Sequence, residues 1–156
     1  MFSFQQELAI DLGTANTRII HKDKVVVNEP SIVAIDTMTG KMIAIGEKTR
    51  QMHGKTHEYI QTIRPLRNGA IADFNAAVQM IRGMIKMIKW NLLFTPSLKI
   101  VVCIPSGCTE VERRAVRDLT ELAGGRNVNM IYEPMAAAIG IGISLKNIGK
   151  FSFLMR

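Results

Sequence analysis

The sequence predicts an α/β domain on a mixed sheet, antiparallel at its start and wound with alternating helices and strands after that. Three observations carry the expectation. Short apolar segments near the N-terminus are separated by tight polar turns, a link too short for anything but antiparallel neighbours. From Asp73 onward the apolar residues switch to three- and four-residue spacing. Lys99 to Ile104 is then a nearly continuous apolar run, as expected of a central strand covered on both sides.

The first three strands are expected at about 7–12, 17–21 and 24–27, divided by the turns Asp11–Asn16 and Lys22-Asp23-Lys24. An irregular stretch follows over 28–72, with alternation at Ile32 and Ala34 and at Met42 and Ala44, and a Thr39-Gly40 turn. Asp73 is suited to cap a helix whose stripe is Ala77, Met80, Ile81, Met84, Ile85 and Ile88, with Arg82, Lys86 and Lys89 on the opposite face. Thr109-Glu110-Val111-Glu112 reads as a capping box. The helix behind it should bury Val111, Ala115, Leu119 and Leu122 and end at Gly124-Gly125. Val128–Tyr132 is the last strand, and Pro134 suits the first turn of a small-residue helix running to Ile141, apolar nearly all round, which suggests burial between two domains in a full protein and an exposed apolar patch in this chain alone.

Composition narrows the class. With 156 residues, 47% hydrophobic and 21% charged, the chain is long enough to bury a core and too apolar to be disordered. No apolar run approaches the ~20 residues that span a bilayer. Met1-Phe2-Ser3-Phe4 lacks the basic flank of a signal peptide, so a cytoplasmic protein is expected. Cys103 and Cys108 match no zinc or redox spacing and are expected as buried reduced thiols; His53 and His57, with Gly54 between them, are expected as solvated loop residues. The net charge of +7 invites a nucleic-acid partner, but the basic residues are dispersed and aromatics are few, so none is expected.

The chemistry is concentrated in Asp11-Leu12-Gly13-Thr14-Ala15-Asn16-Thr17, between two apolar strands. Gly13 lets the backbone turn tightly and approach a ligand, and successive N–H groups in such a turn make an anion-binding concavity. Gly13, Thr14, Ala15 and Asn16 are therefore candidate phosphate-binding residues, and Asp11 is a candidate to hold Mg²⁺ through water. No Gly-Lys-Ser/Thr follows, so this is not a Walker A loop. A polar hairpin turn capping a buried strand reads the same on these residues alone.

Four segments together resemble the N-terminal half of the MreB family of bacterial actin-like proteins, from about residue 7 to residue 143. They are Ala9–Thr17; Ile63-Arg64-Pro65-Leu66 with Gly69–Phe74; Ile104-Pro105-Ser106-Gly107 with Thr109–Asp118; and Glu133–Gly140. The first and last recur loosely across actin, Hsp70 chaperones and sugar kinases; the middle two are much more specific. The resemblance implies an actin-like ATPase (ribonuclease H-like) fold, with a large subdomain over 1–27 and 73–143 and a small inserted subdomain over 28–72. It also implies ATP and Mg²⁺ as cofactors, Asp11 beside the phosphates, and Glu133 as the catalytic residue that polarises the attacking water.

Further implications are filaments on the inner face of the cytoplasmic membrane and work with the cell-wall synthesis machinery in rod-shaped growth. Trp90, Leu92, Leu93 and Phe94, following Arg82, Lys86 and Lys89, are the expected membrane-inserting loop, the alternative being that they fold back onto the core. After Gly142 the family continues into a second Gly-rich phosphate loop and adenosine-binding segments, whereas residues 144–156 read as a divergent tail. The chain alone is thus expected to be inactive as an ATPase. A non-hydrolysing assembly fragment of the same fold is the alternative, and an Hsp70-type fragment ranks below it.

Overall fold

The computed structural model describes residues 5–52, 58–90 and 96–142. The chain opens with three strands, β1 (Gln5–Leu12), β2 (Asn16–His21) and β3 (Lys24–Pro30), paired antiparallel in sequence. Lys22 and Asp23 both take positive φ (49° and 60°), which is how a two-residue hairpin turn matches the twist of its strands. β1 is also flanked by β9 (Ser97–Ile104), which runs parallel to it, and β10 (Gly125–Tyr132) adds in parallel to β9. The five-stranded order is therefore β10-β9-β1-β2-β3. The mixed sheet and its antiparallel start are as the sequence predicts.

The stretch 28–72 is more ordered than its sequence suggests. It holds β4 (Val33–Asp36), β5 (Met42–Ile45) and β6 (Ile60–Ile63) as a sheet in the order β5-β4-β6. Between them lies α1 (Glu47–Met52), and the stretch ends in the hairpin β7 (Leu66–Arg67) and β8 (Ala70–Ile71). The helix α1 has no apolar periodicity to announce it. A carboxylate from outside starts it: Glu29 accepts from the Glu47 N–H at 2.7 Å, supplying the first-turn acceptor that the helix lacks locally.

Two helices build the core against one face of the large sheet. α2 (Phe74–Met87) begins as expected, with the Asp73 carboxylate accepting from the Ala76 N–H at 2.9 Å. Its Met80, Ile81 and Met84 are fully buried with Ile10, Ile19, Ile100 and Val102 of the sheet. Each such side chain contributes roughly 1.5–3 kcal/mol by leaving water. α3 (Glu110–Leu122) forms the predicted capping box, Thr109 and Glu112 exchanging hydrogen bonds at 2.8 and 3.2 Å. α4 (Glu133–Gly140) follows β10 directly; its buried Ala138 does not belong to the main core.

Several expectations are corrected. The buried side of α3 is Val116, Leu119 and Thr120 with Ala123 beyond, while Val111 (79%) and Leu122 (54%) are exposed. The buried positions 116, 119, 120 and 123 form one stripe at three- and four-residue spacing, and Leu122 falls to the side of it. β9 is not covered on both faces: Leu98, Ile100, Val102 and Ile104 are buried, but Ser97, Lys99, Val101 and Cys103 are only half-buried. By contrast α4 leaves Ile139, and just past its end Ile141, exposed, the apolar patch expected of this chain alone. Cys103 and Cys108 are free thiols as expected, though half-buried and not buried. His53, His57 and the tail lie outside the described residues.

The Thr109 N–H, and after it the Thr109 hydroxyl, hold the Glu112 carboxyl below its ordinary value. Its stabilising effect is full above that value and is lost as the pH falls below about 4.5, where the unfolded chain takes up the proton more readily. In urea unfolding, Glu112→Gln should thus be less stable than the parent near neutrality, and the gap should close as the pH drops toward about 3.

Candidate active site

The sheet brings three strand ends to one edge. β1, β9 and β10 run parallel, so their carboxyl ends emerge together, the place where open α/β sheets bind ligands. Asp11 lies near the end of β1 and is half-buried. Cys103 is its partner across the β1–β9 ladder, and Glu133 opens α4 right after β10, exposed to solvent. Burial pushes the Cys103 thiol up, and the negative charges of Asp11 and of Glu133 push it further. Both carboxylates therefore lie near enough to Cys103 to act on its thiol. The structure brings together the two residues that the sequence singles out from opposite ends of the chain.

The loop after β1 is held from three sides. Its glycine is needed for space and not for an unusual φ: a Cβ on Gly13 would overlap the Asn16 carbonyl oxygen. Ser31, fully buried between β3 and β4, donates its hydroxyl proton to the Gly13 carbonyl at 2.6 Å. Its single proton being used there, the buried Thr17 hydroxyl must donate to Ser31 Oγ at 2.9 Å. The Ser31 N–H reaches the Ala15 carbonyl at 2.9 Å. These bonds take the carbonyls of Gly13 and Ala15 out of the loop's mouth. Thr14, Ala15 and Asn16 are exposed.

The third hold comes from the β7–β8 turn, where Asn68 and Gly69 both take positive φ (51° and 77°). Gly69 donates its N–H to Thr14 Oγ1 at 3.1 Å. The segments that lead into and out of 33–63 thus both grip the loop, through Ser31 and Gly69. Beneath the turn lies a mostly apolar cavity of about 230 Å³, lined by Leu12, Leu66, Ile71, Cys103, Ile104 and Val116 among others. Sequence reasoning missed Ser31 and Gly69. A serine after a proline and a glycine in a turn carry no signal of their own until the fold sets them beside the loop.

Arg18 was also missed. It faces Asp11 across the β1–β2 ladder, with its guanidinium 3.7 Å from the carboxylate. Among the described residues no cluster of His, Cys, Asp and Glu is arranged to cage a metal ion. Asp11 as the one carboxylate at the loop suits a cation that keeps most of its water, as Mg²⁺ does, and not one dehydrated by protein ligands.

The expected membrane loop is divided. Trp90 is half-buried against the core and meets the His21 ring edge-on at 5.4 Å, so it is a core-facing residue and not part of an exposed tip. Its amphipathic ring finds a neighbour at the end of β2. Leu92, Leu93 and Phe94 lie outside the described residues. The basic face is also smaller than it reads: Arg82 donates to the Leu122 carbonyl at 2.6 Å, satisfying the end of α3, while Lys86 and Lys89 remain exposed. No helix among the described residues is long and apolar enough to cross a membrane.

Comparison with known proteins agrees with this architecture. The pattern of the MreB/Mbl protein family matches residues 5–150. The cell shape-determining protein MreB of Escherichia coli K12 is 46% identical over 145 residues, covering 90% of this chain and 42% of its own length. The cell shape-determining protein Mbl of Bacillus subtilis 168 is 41% identical over 143 residues, covering 91% and 43%. The chain thus spans less than half the length of these relatives. Among solved structures, MreB5 of Spiroplasma citri bound to AMPPNP superposes with a TM-score of 0.76 at 34% identity, over 90% of this chain and 42% of that one. The MamK double helical filament, at 16% identity and a TM-score of 0.73 over 89% of this chain and 44% of that one, shares the fold.

Ser31→Ala leaves the Gly13 carbonyl and the Thr17 hydroxyl without a buried partner, which costs on the order of 1–3 kcal/mol. Urea unfolding should show that loss, and amide exchange at Thr14, Ala15 and Asn16 should speed up beyond what global unfolding accounts for.

Proposed function

This chain belongs to the MreB/Mbl family of cell shape-determining, actin-like proteins, and on that premise we propose that it forms one side of the nucleotide cleft of a cytoskeletal ATPase. The observation that carries the reading is the convergence of Asp11, the 13–16 loop and Glu133 on one sheet edge. That relatives have been solved with AMPPNP and with ADP supports a nucleotide there. In this reading 28–72 is the small subdomain, and its two connections read the phosphate loop through Ser31 and Gly69.

The chemistry follows from the positions. The N–H groups of Gly13, Thr14, Ala15 and Asn16 cradle phosphate oxygens, with the Thr14 hydroxyl fixed by Gly69. Asp11 would hold Mg²⁺ through water; when bound, that ion neutralises charge on the phosphates. Glu133, exposed at a helix start, orients the attacking water. Cleaving a phosphoanhydride needs such positioning more than it needs a strong base. The adenosine and the opposite phosphate contacts come from sequence beyond this half-length match, so the chain by itself is a half-site. By the same reading the whole protein self-assembles into filaments, sits cytoplasmically and peripherally on the inner membrane face, and works with wall-synthesis proteins; the filament of its fold relative MamK supports assembly.

Calorimetry of the isolated chain with Mg-ATP should accordingly show weak binding or none, and low-micromolar affinity would overturn the half-site reading. In a protein that joins this chain to a complete second half, Glu133→Ala should lower turnover with binding nearly intact, whereas Asp11→Ala should weaken Mg-ATP binding itself. Unchanged hydrolysis in Glu133→Ala removes its assigned role.

Membrane attachment has a separate test. With Trp90 turned toward the core, the lipid-inserting residues in this reading are Leu92, Leu93 and Phe94, helped by Lys86 and Lys89. Replacing Leu93 and Phe94 with Ser should remove roughly 3–6 kcal/mol of apolar burial in lipid, summed over two side chains. The variant should then stay in the supernatant of a liposome sedimentation in which the parent pellets. Equal pelleting of the two folded proteins sinks this attachment.

A further inference from the structure

We propose that Arg18 is a phosphate-binding residue of this site, held on Asp11 until Mg²⁺ and a polyphosphate displace it. The inference rests on the nucleotide reading above and goes beyond it by assigning the cation. Arg18 is the register partner of Asp11 in the antiparallel β1–β2 ladder, so the two side chains stand on one face of the sheet. Its neighbours Thr17 and Ile19 are fully buried on the other face. The guanidinium is thereby kept out of the core, at the foot of the loop whose exposed residues Thr14, Ala15 and Asn16 lie two to four positions earlier.

The charge balance of the site calls for it. Asp11 and Glu133 are both acidic, and Leu12 to Thr17 contain no Lys or Arg. A polyphosphate approaching these residues meets two carboxylates and no cation from the loop, whereas a Walker loop supplies its own lysine. Arg18 is the basic residue ion-paired at this point, at 3.7 Å from Asp11. A planar guanidinium offers a fork of donors that matches phosphate oxygens two at a time.

The pair is also built to open. Its side chains are 54% and 40% exposed and its contact is long, so water and salt compete with it. Were Asp11 to hold a hydrated Mg²⁺, the Arg18 guanidinium would lose its partner and be free to pair with a phosphate. The exchange conserves charge at each step: carboxylate to metal, guanidinium to phosphate. A surface ion pair with no ligand role predicts instead that removing Arg18 changes nothing at the loop.

Inorganic tripolyphosphate with Mg²⁺ is the probe, because it asks only for the phosphate half of the site. Titrated into the ¹⁵N-labelled chain, it should move the amides of Gly13, Thr14, Ala15 and Asn16 to saturation. Arg18→Leu should keep a folded spectrum, since the side chain is exposed, and should need about ten times more ligand. Arg18→Lys, which keeps the charge and loses the fork, should fall between the two. If the parent responds and Arg18→Leu saturates at the same concentration, the role of Arg18 is overturned while the phosphate site stands. If the loop amides of the parent do not respond at all, the phosphate site itself is overturned and the proposal falls with it.

Discussion

The rest of this structure depends on β1 being hydrogen-bonded along both edges, antiparallel to β2 and parallel to β9. A strand fixed on both sides cannot slip by one residue without throwing its apolar face into water. Leu8 and Ile10 are buried almost completely, so the register is set, and Asp11 must emerge on the opposite face at the strand's end. The same double pairing places Asp11 beside Arg18 on one side and Cys103 on the other. The chemistry at the sheet edge is thus a consequence of where two apolar side chains are buried.

From that strand the coupling runs outward through a few polar contacts. Ser31 and Thr17 are fully buried, and their hydroxyls satisfy each other and the Gly13 carbonyl, which a buried polar group requires. Gly69, in the hairpin turn that follows 33–63 in the chain, reaches Thr14, and Glu29 in β3 starts α1. Gly46, just before that helix, has φ +64°, and a Cβ there would overlap the Glu29 carboxylate. Glycine at 46 and glutamate at 29 are therefore one device, joining the large sheet to the smaller one. Both connections of 33–63 are thus tied to the loop by hydrogen bonds, one through Ser31 and one through Gly69.

Much of this was legible in the sequence, and what was not has definite physical reasons. Periodicity located α2, and the Thr109–Glu112 box located α3 to the residue, because both signals are local. The turns at Lys22-Asp23 and 13–16 were legible through turn chemistry. The three strands and the helix between 33 and 63 were not, since they are short, and α1 takes its cap from a residue 18 positions away. A stripe of spacing likewise marks a helix face without saying how far the partner surface extends, which is why Val111 and Leu122 were misread as core. At the site, Asp11 and Glu133 stood out through motif and resemblance. Ser31, Gly69 and Arg18 owe their roles to contacts across 18, 55 and 7 residues of chain, which composition cannot show.

The cations illustrate how the fold alters what a charge run means. Read along the helix, Arg82, Lys86 and Lys89 form one basic face open to a lipid surface. In the folded chain Arg82 satisfies the Leu122 carbonyl at the end of α3, and Lys99 pairs with Glu7 at 2.8 Å. A guanidinium that closes a helix end has exchanged its reach for a structural bond, and moving it to a lipid headgroup would leave the Leu122 carbonyl to find water instead. The surface charge available to a partner is then Lys86 and Lys89, next to a tryptophan whose ring rests on His21. Any anionic surface that this corner meets is therefore met by flexible lysines, whose attraction fades with salt over about 8 Å at physiological ionic strength, and specificity there must come from apolar contact.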